Sequence, residues 1–218
     1  MAKNDRSAHQ NRKNIHHQTV AIADRVEYVI RFAVHALMVG DKRLADEIAL
    51  ECAEIEQELT ALALRCQSLE GQPEFAASAL RLLAALGSAR GQADLIATET
   101  HRFSVPPPSI ARELELLAEQ SRLVLRQAIL TWSEGDTARA RETLAAARAV
   151  DVALTAAAQE LLEQDVHGAR PAPPTCTMAM ALFKTLGKVG ENARRFCEET
   201  INVTARASLH AHPVVPPA

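Results

Sequence analysis

Four carboxylates, Glu47, Glu51, Glu54 and Glu58, recur at steps of four, three and four, a spacing that lays them along one face of a helix. Carboxylates stacked this way can converge on a cation, with Asp94 and Glu99 as further oxygen donors. A solvated helix face has the same pattern and is the commoner meaning of a charged stripe. Arg102 and Arg195 each stand directly before a phenylalanine. They fit a paired docking feature for an acidic partner, and equally ordinary helix-surface charge. His9, His16, His17, His210 and His212 could hold a transition metal loosely, but histidines so near the ends read as solvated. His35 and His101 read as hydrogen-bonding helix residues, and Trp132 as a packing residue.

Other chemistries have no foothold. There is no phosphate-binding loop of the Walker type, no Gly-x-Ser-x-Gly elbow and no Glu-x-x-His pair. No nucleophile stands beside a base, so the chain reads as a non-enzyme. A net charge of −3 gives nucleic acid no obvious hold. Cys52, Cys66, Cys176 and Cys197 form no C-x-x-C pair and read as reduced, packing thiols. No stretch is apolar and long enough to span a bilayer, and the N-terminus lacks the apolar core of a signal peptide. Cytoplasmic localisation is the resulting expectation.

The elements that must carry these residues are helical. Hydrophobic residues make up 48% but aromatics only 3%, so the apolar content is aliphatic and small, which suits close helix packing. The order of breaks predicts six helices. Val20, Ala23, Val26, Ile30, Ala33 and Leu37 mark the first, which Gly40 ends and Asp41 follows as an N-cap. Leu44, Ile48, Cys52, Ile55, Leu59, Leu62 and Cys66 form the seam of the second. Pro73 opens the third. Ser104-Val105-Pro106-Pro107-Pro108 bars any helix from crossing it. The fourth runs from about Ser109 to Trp132, the fifth to about Val166, and the sixth from near Thr175 to about Ala207.

The chain also nearly repeats itself. Val29-Ile30-Arg31-Phe32-Ala33 leading to Gly40-Asp41 returns as Val124-Leu125-Arg126-Gln127-Ala128 leading to Gly135-Asp136, an offset of 95. Ile96 to Phe103 aligns with Val189 to Phe196 at an offset of 93, which makes Arg102 and Arg195 equivalent. A repeat this long exceeds a solenoid unit and implies two copies of a whole bundle. In the second copy the acidic stripe becomes Glu142, Ala146, Ala149 and Ala153.

Gly40-Asp41, Gln72-Pro73, Leu80-Arg81 and Ala93-Asp94-Leu95-Ile96-Ala97-Thr98 in the first copy, with Gly135-Asp136 and Leu186-Gly187-Lys188-Val189-Gly190-Glu191-Asn192-Ala193 in the second, resemble the PhoU family of phosphate-signalling proteins. The likeness covers roughly residues 15 to 207. It implies an all-α fold of two tandem pseudo-symmetric three-helix bundles, spanning 15–104 and 105–207. A flexible arm at 1–14 and a disordered tail at 208–218 complete the expected organisation. It implies a non-enzymatic negative regulator of phosphate uptake and of the starvation response. Such a protein docks on the ATPase subunit of a phosphate ABC transporter and on a sensor histidine kinase, and a homodimer is expected.

The family's third helix carries Glu and Asp four apart as ligands of iron- or zinc-type clusters. Here Asp94 is followed by Thr98, and Glu191 is preceded by Gly187, so each pair keeps one carboxylate. Asp94 and Glu191 are therefore remnants of a metal motif. No tightly bound cofactor is expected. Any weakly held divalent, iron- or zinc-type ion belongs first to the half with Glu47, Glu51 and Glu54. Two further readings stay open: a divergent adaptor of another transporter or of a stress or metal-resistance pathway, and a metal-buffering helical protein.

Overall fold

A computed structural model of the chain describes residues 2–69, 71–103, 105–106, 108–166 and 173–211. Six helices follow in order: α1 (Ala2–Val39), α2 (Lys42–Gln67), α3 (Pro73–Arg102), α4 (Pro108–Glu134), α5 (Thr137–Val166) and α6 (Pro173–Ala211). There is no strand among the described residues. Helices α1, α2 and α3 pack on one another, as do α4, α5 and α6. The halves meet through α1 against α4 and α3 against α6.

Both ends of the chain differ from the sequence reading. Residues 2–14, expected as a flexible arm, continue α1, because no glycine or proline interrupts the run from Ala2 to Val39. Arg12 donates to the Gln72 side chain, and its guanidinium lies 5.4 Å from the Phe75 ring centroid. At the far end α6 continues to Ala211. Met1, Ser104, Pro107, the break at 167–172 and the tail 212–218 lie outside the described residues.

The Gly-Asp breaks are built alike. Gly40 and Gly135 take positive φ, 72° and 68°, the left-handed cap that ends a helix. The next amide reaches back to the last turn: Asp41 N to Ala36 O at 2.9 Å, and Asp136 N to Thr131 O at 3.0 Å. Asp41 Oδ1 then accepts from Leu44 N, and Asp136 Oδ1 from Arg139 N, each at 3.0 Å, capping α2 and α5. Their surroundings differ. A Cβ on Gly40 would lie 2.8 Å from Val105 Cγ2, whereas one on Gly135 would meet nothing within 4 Å. Gly135→Ala is expected to cost about 1 kcal/mol, the left-handed penalty alone. Gly40→Ala is expected to cost about 2 kcal/mol, because Val105 must also move. Urea unfolding of the two variants measures the difference.

The seam of α2 is buried at Ile48, Cys52, Ile55, Leu59, Leu62 and Cys66, while Leu44 is only partly covered. Helix α3 buries more than one face, from Ala76 through Leu82, Ala85, Leu86, Ala89 and Ala93 to Ile96 and Thr100. It can do so because it packs against α1, α2 and α6 together. One apolar core therefore runs through both halves. Buried Thr19, Thr100, Ser121 and Thr200 each donate to the carbonyl one turn back, so none leaves an orphan hydroxyl. The cysteines are free thiols. Burial pushes the Cys52 thiol up to about 12 and the Cys197 thiol up to about 11, which leaves both unreactive.

Contacts along each interface between the halves run in opposite directions. On α1 and α4, His16 stacks on Trp132 with ring centroids 4.6 Å apart, and Glu27 pairs with Arg122. On α3 and α6, Arg81 meets Glu199, and Asn192 Nδ2 donates to Ser88 Oγ at 3.1 Å. Both pairs are antiparallel, and each joins a helix to its own repeat equivalent. This is the arrangement a two-fold operation requires. Glu27 and Arg122 are 95 residues apart, the repeat offset itself, so they lie where the pseudo-axis crosses the molecule.

Candidate functional site

The acidic stripe on α2 faces a cation the sequence reading did not assign to it. Arg25 of α1 donates to Glu51 at 2.7 Å, to Glu58 at 2.5 Å and to Glu54 at 3.4 Å. Bonding to Glu51 first raises the guanidinium's proton affinity further. Glu47, at the end of the stripe, pairs with Arg43 at 3.2 Å. The repeat carried a signal for this. Arg25 is answered 95 positions on by Gln120, and Glu51, Glu54 and Glu58 by Ala146, Ala149 and Ala153. The guanidinium and its carboxylates are present together in one half and absent together in the other.

Asp94 and Glu191 are not brought together. Asp94 lies on the side of α3 that faces α2, where its charge, after burial, helps raise the Cys52 thiol. The Thr98 hydroxyl donates to the Asp94 backbone carbonyl at 2.9 Å rather than pointing at a shared site. Glu191 belongs to the α3/α6 side. It accepts from Lys188 and from Arg195, each at 2.6 Å. The Lys188 hydrogen bond in particular holds its carboxyl below the usual 4.5. Gly187 offers no ligand.

No group of three or more His, Cys, Asp or Glu side chains among the described residues is placed to hold a metal ion. Where the resemblance assigns a cluster, this chain has one carboxylate beside a thiol and another held by two cations. Those residues do not fit a multinuclear centre. Asp94→Ala and Glu191→Ala are expected to change Tm little, and by the same amount with and without a chelator. Differential scanning fluorimetry with and without EDTA checks it, and a loss seen only in metal-replete protein contradicts it.

The largest recess described between the halves is a groove of about 520 Å³ between α3 and α6. Ser88, Gln92 and Glu99 line it from one side, and Lys184, Lys188, Glu191 and Arg195 from the other. Arg195, half exposed, stands at its rim beside Glu191. Its repeat equivalent Arg102 is bonded to Glu99 Oε1 at 2.8 Å, with the guanidinium 5.8 Å from the Phe103 ring centroid. Glu99 Oε2 is buried and has no hydrogen-bond partner. Beyond Arg195, Arg81 grips Glu199 through two bonds of 2.7 Å, with the Glu199 side chain 7% exposed. Arg81 belongs to the Leu80-Arg81 pair that carries the family likeness, but Glu199 did not stand out, since it is one acid of the pair Glu198-Glu199. The groove sets charges of both signs along an apolar floor that includes Leu95, Ile96 and Leu182, a surface suited to docking a partner's side chains.

The histidines divide. His16, read as solvated, is half-buried on Trp132, and Trp132 in turn meets the buried Phe196 edge-on at 6.3 Å. Burial, followed by the charge of His17, lowers the His16 pKa. His101 reaches Asp46 at 3.1 Å. The side chains of His9 and His210, and the whole of His212, lie outside what is described.

Six helices in two pseudo-symmetric halves, joined by antiparallel α1/α4 and α3/α6 contacts with a charge-rimmed groove between α3 and α6, define a helical-bundle scaffold. No family model matches the sequence, and no curated protein sequence matches it. Solved structures do. The crystal structure of PhoU from Pseudomonas aeruginosa superposes with a TM-score of 0.84 at 18% identity, over 91% of this chain and 99% of that one. The phosphate transport system regulatory protein PhoU from Streptococcus pneumoniae gives 0.82 at 15% identity, over 91% and 97%. The fold is PhoU-like.

Proposed function

We propose that this protein is a non-enzymatic regulator of phosphate transport that works by docking its helical faces on protein partners. The observation that carries the reading is the superposition over nearly the full length of two PhoU structures, one of them the phosphate transport system regulatory protein of Streptococcus pneumoniae. The partners are the ATPase subunit of a phosphate ABC transporter and a sensor histidine kinase, met by the charged rim of the α3/α6 groove, with Arg195 and, at its other end, Arg102. The protein restrains uptake and the starvation response while phosphate is plentiful, and acts on the cytoplasmic side of the membrane. No helix among the described residues is long and apolar enough to cross a membrane.

The test is co-purification of tagged full-length protein with the ATPase subunit and the kinase from its own cells, with Arg195→Glu as the second arm. Recovery that the variant abolishes supports the reading. Recovery of neither partner, or binding indifferent to Arg195, overturns it.

A second reading has its own support. Of the two motif carboxylates, Glu191 is held here by Lys188 and Arg195, and the α2 acids Glu51 and Glu47 are held by Arg25 and Arg43. A chain changed in this way fits an adaptor for another transporter or for a stress or metal-resistance pathway. Reproducible capture of a different membrane transporter's subunit would favour it. A metal-buffering role is the weakest fit to the geometry, since Arg25 already occupies the acidic stripe.

A further inference from the structure

The contact between α1 and α4 is closed at one end and open at the other. At the closed end His16 stacks on Trp132, ring centroids 4.6 Å apart. The repeat operation carries these two residues to Ala111 and Leu37. Both are smaller, and neither is aromatic. A recess opens there. Met38 follows Leu37 in the chain, Glu115 stands one turn after Ala111, and both line a space of about 230 Å³ between the helices. An engineered protein cavity of about 150 Å³ with aliphatic and aromatic walls takes up benzene. By that measure this recess has room for a flat ring system of roughly nine non-hydrogen atoms.

The lining selects the kind of ring. Ile30, Val34, Met38 and Ala118 are all buried and give the recess an apolar floor. The Met38 thioether is a soft, polarisable group that favours contact with an aromatic edge. Charged and polar groups stand on the lips: Arg31 and His35 on α1, Glu115 and Glu119 on α4. All four are exposed. Arg122, buried below them, is already held by Glu27 and Glu119. With His35 neutral, Arg31 and Arg122 balance Glu115 and Glu119, so a neutral guest suits the lining better than an ion. Arg31 already lies over one aromatic face, 5.6 Å from the Phe32 ring centroid, and a cation in that place attracts the face of a second ring. Glu115 has no ion-pair partner among the described residues and can accept an N–H.

We propose that this recess is a binding site for a small, neutral aromatic molecule carrying a ring N–H, of the indole class. The ring lies on the apolar floor with its face toward Arg31, and its N–H donates to Glu115. The lips favour a free molecule over a side chain borne by a partner protein. A partner surface settling here would strip water from all four exposed groups, and the centres of protein interfaces are poor in charge. A free ring slips beneath the lips and leaves them in water. The bound molecule touches both halves beside the Arg122 pairing, so its occupancy tightens the α1/α4 contact. The recess lies on other helices than the α3/α6 groove, and the proposal does not rest on the phosphate-transport reading.

NMR of the full chain with isotope-labelled methionine methyl groups tests it, with indole as the probe. The expected result is a saturable shift of the Met38 resonance, half complete at about 1 mM indole. Met178, buried in α6 and away from the recess, is expected to stay still. Indole at about 5 mM is also expected to raise Tm. Ala118→Leu fills the floor and is expected to weaken binding about tenfold or more. Arg31→Gln changes an exposed residue, so it leaves the fold intact, and is expected to weaken binding about threefold. Thermal unfolding confirms that each variant is folded. N-acetyl-tryptophan amide, which carries the same ring on a piece of peptide chain, is expected to bind more weakly than indole. No Met38 shift at about 5 mM indole, an equal shift of Met178, or binding unchanged in the folded variants overturns the proposal. Tighter binding of N-acetyl-tryptophan amide than of indole overturns it too, by giving the recess to a partner's side chain.

Discussion

Arg122→Ala is expected to lower the unfolding free energy by about 3 kcal/mol. For a chain of this size that is a fall in Tm of roughly 6–12 °C. Arg122 is the buried centre of the α1/α4 contact, its side chain only 10% exposed. It holds Glu27, itself 16% exposed, from the other half, and chelates Glu119 through bonds of 2.8 and 2.5 Å. Taking it away leaves Glu27 in a place water barely reaches, and that penalty, more than the lost attraction, makes the loss large. The double variant Glu27→Leu/Arg122→Met removes both charges and fills the space. It is expected to recover most of the loss, and a double-mutant cycle by urea unfolding reads the coupling. The same triad sets an acid limit. The Arg122 hydrogen bond holds the Glu119 carboxyl below its usual 4.5 in the folded chain. A group lowered on folding contributes in full above its unfolded value and loses that contribution as pH falls through the folded one. Stability should therefore decline below about pH 4.5, and Arg122→Ala should flatten that part of the profile.

Arg81→Ala is expected to cost about 2 kcal/mol through the α3/α6 contact. Its carboxylate partner Glu199 is the more buried of the two, 7% exposed against 50% for Arg81. Solvent can reach the guanidinium and screens part of the interaction, which is why the expected loss is smaller than at Arg122. Arg81→Lys keeps the charge but cannot form two parallel bonds, so it should recover less than half. Equal stability of Arg81→Ala and wild type in urea would show that the fork–fork bond contributes nothing. Since Arg81 and Arg122 lie in separate interfaces, their losses should add within about 0.5 kcal/mol. A shortfall would mean that the halves separate as a unit once either clamp is lost.

These clamps also mark where sequence reasoning stopped. The helices were legible because the chain punctuates them with residues of fixed backbone meaning: Gly40-Asp41, Pro73, Gly135-Asp136. The α2 seam was legible because its apolar residues keep one spacing throughout. The extent of α1 was not, because the polar run from Ala2 to Asn14 has no apolar period, although it has nothing to break a helix either. The shared core was partly visible in α3, whose apolar positions cover more than one stripe, as a helix with several neighbours must. The ion pairs were hidden for a different reason. Charge partners are set by helix register across an interface, and residues as distant as 81 and 199 carry no local mark of it. Only Arg25 left a trace, in its joint disappearance with the α2 acids from the second half.

Glu27 and Arg122 occupy corresponding places in the two copies, yet they carry opposite charge. Were the halves separate, identical molecules, that position would press like against like, a carboxylate on a carboxylate or a guanidinium on a guanidinium. Joining them in one polypeptide allowed the two sites to mutate independently into a matched couple. The duplication is thereby locked in: a chain built from the first half twice over would meet itself at its centre with two negative charges and nothing to neutralise them.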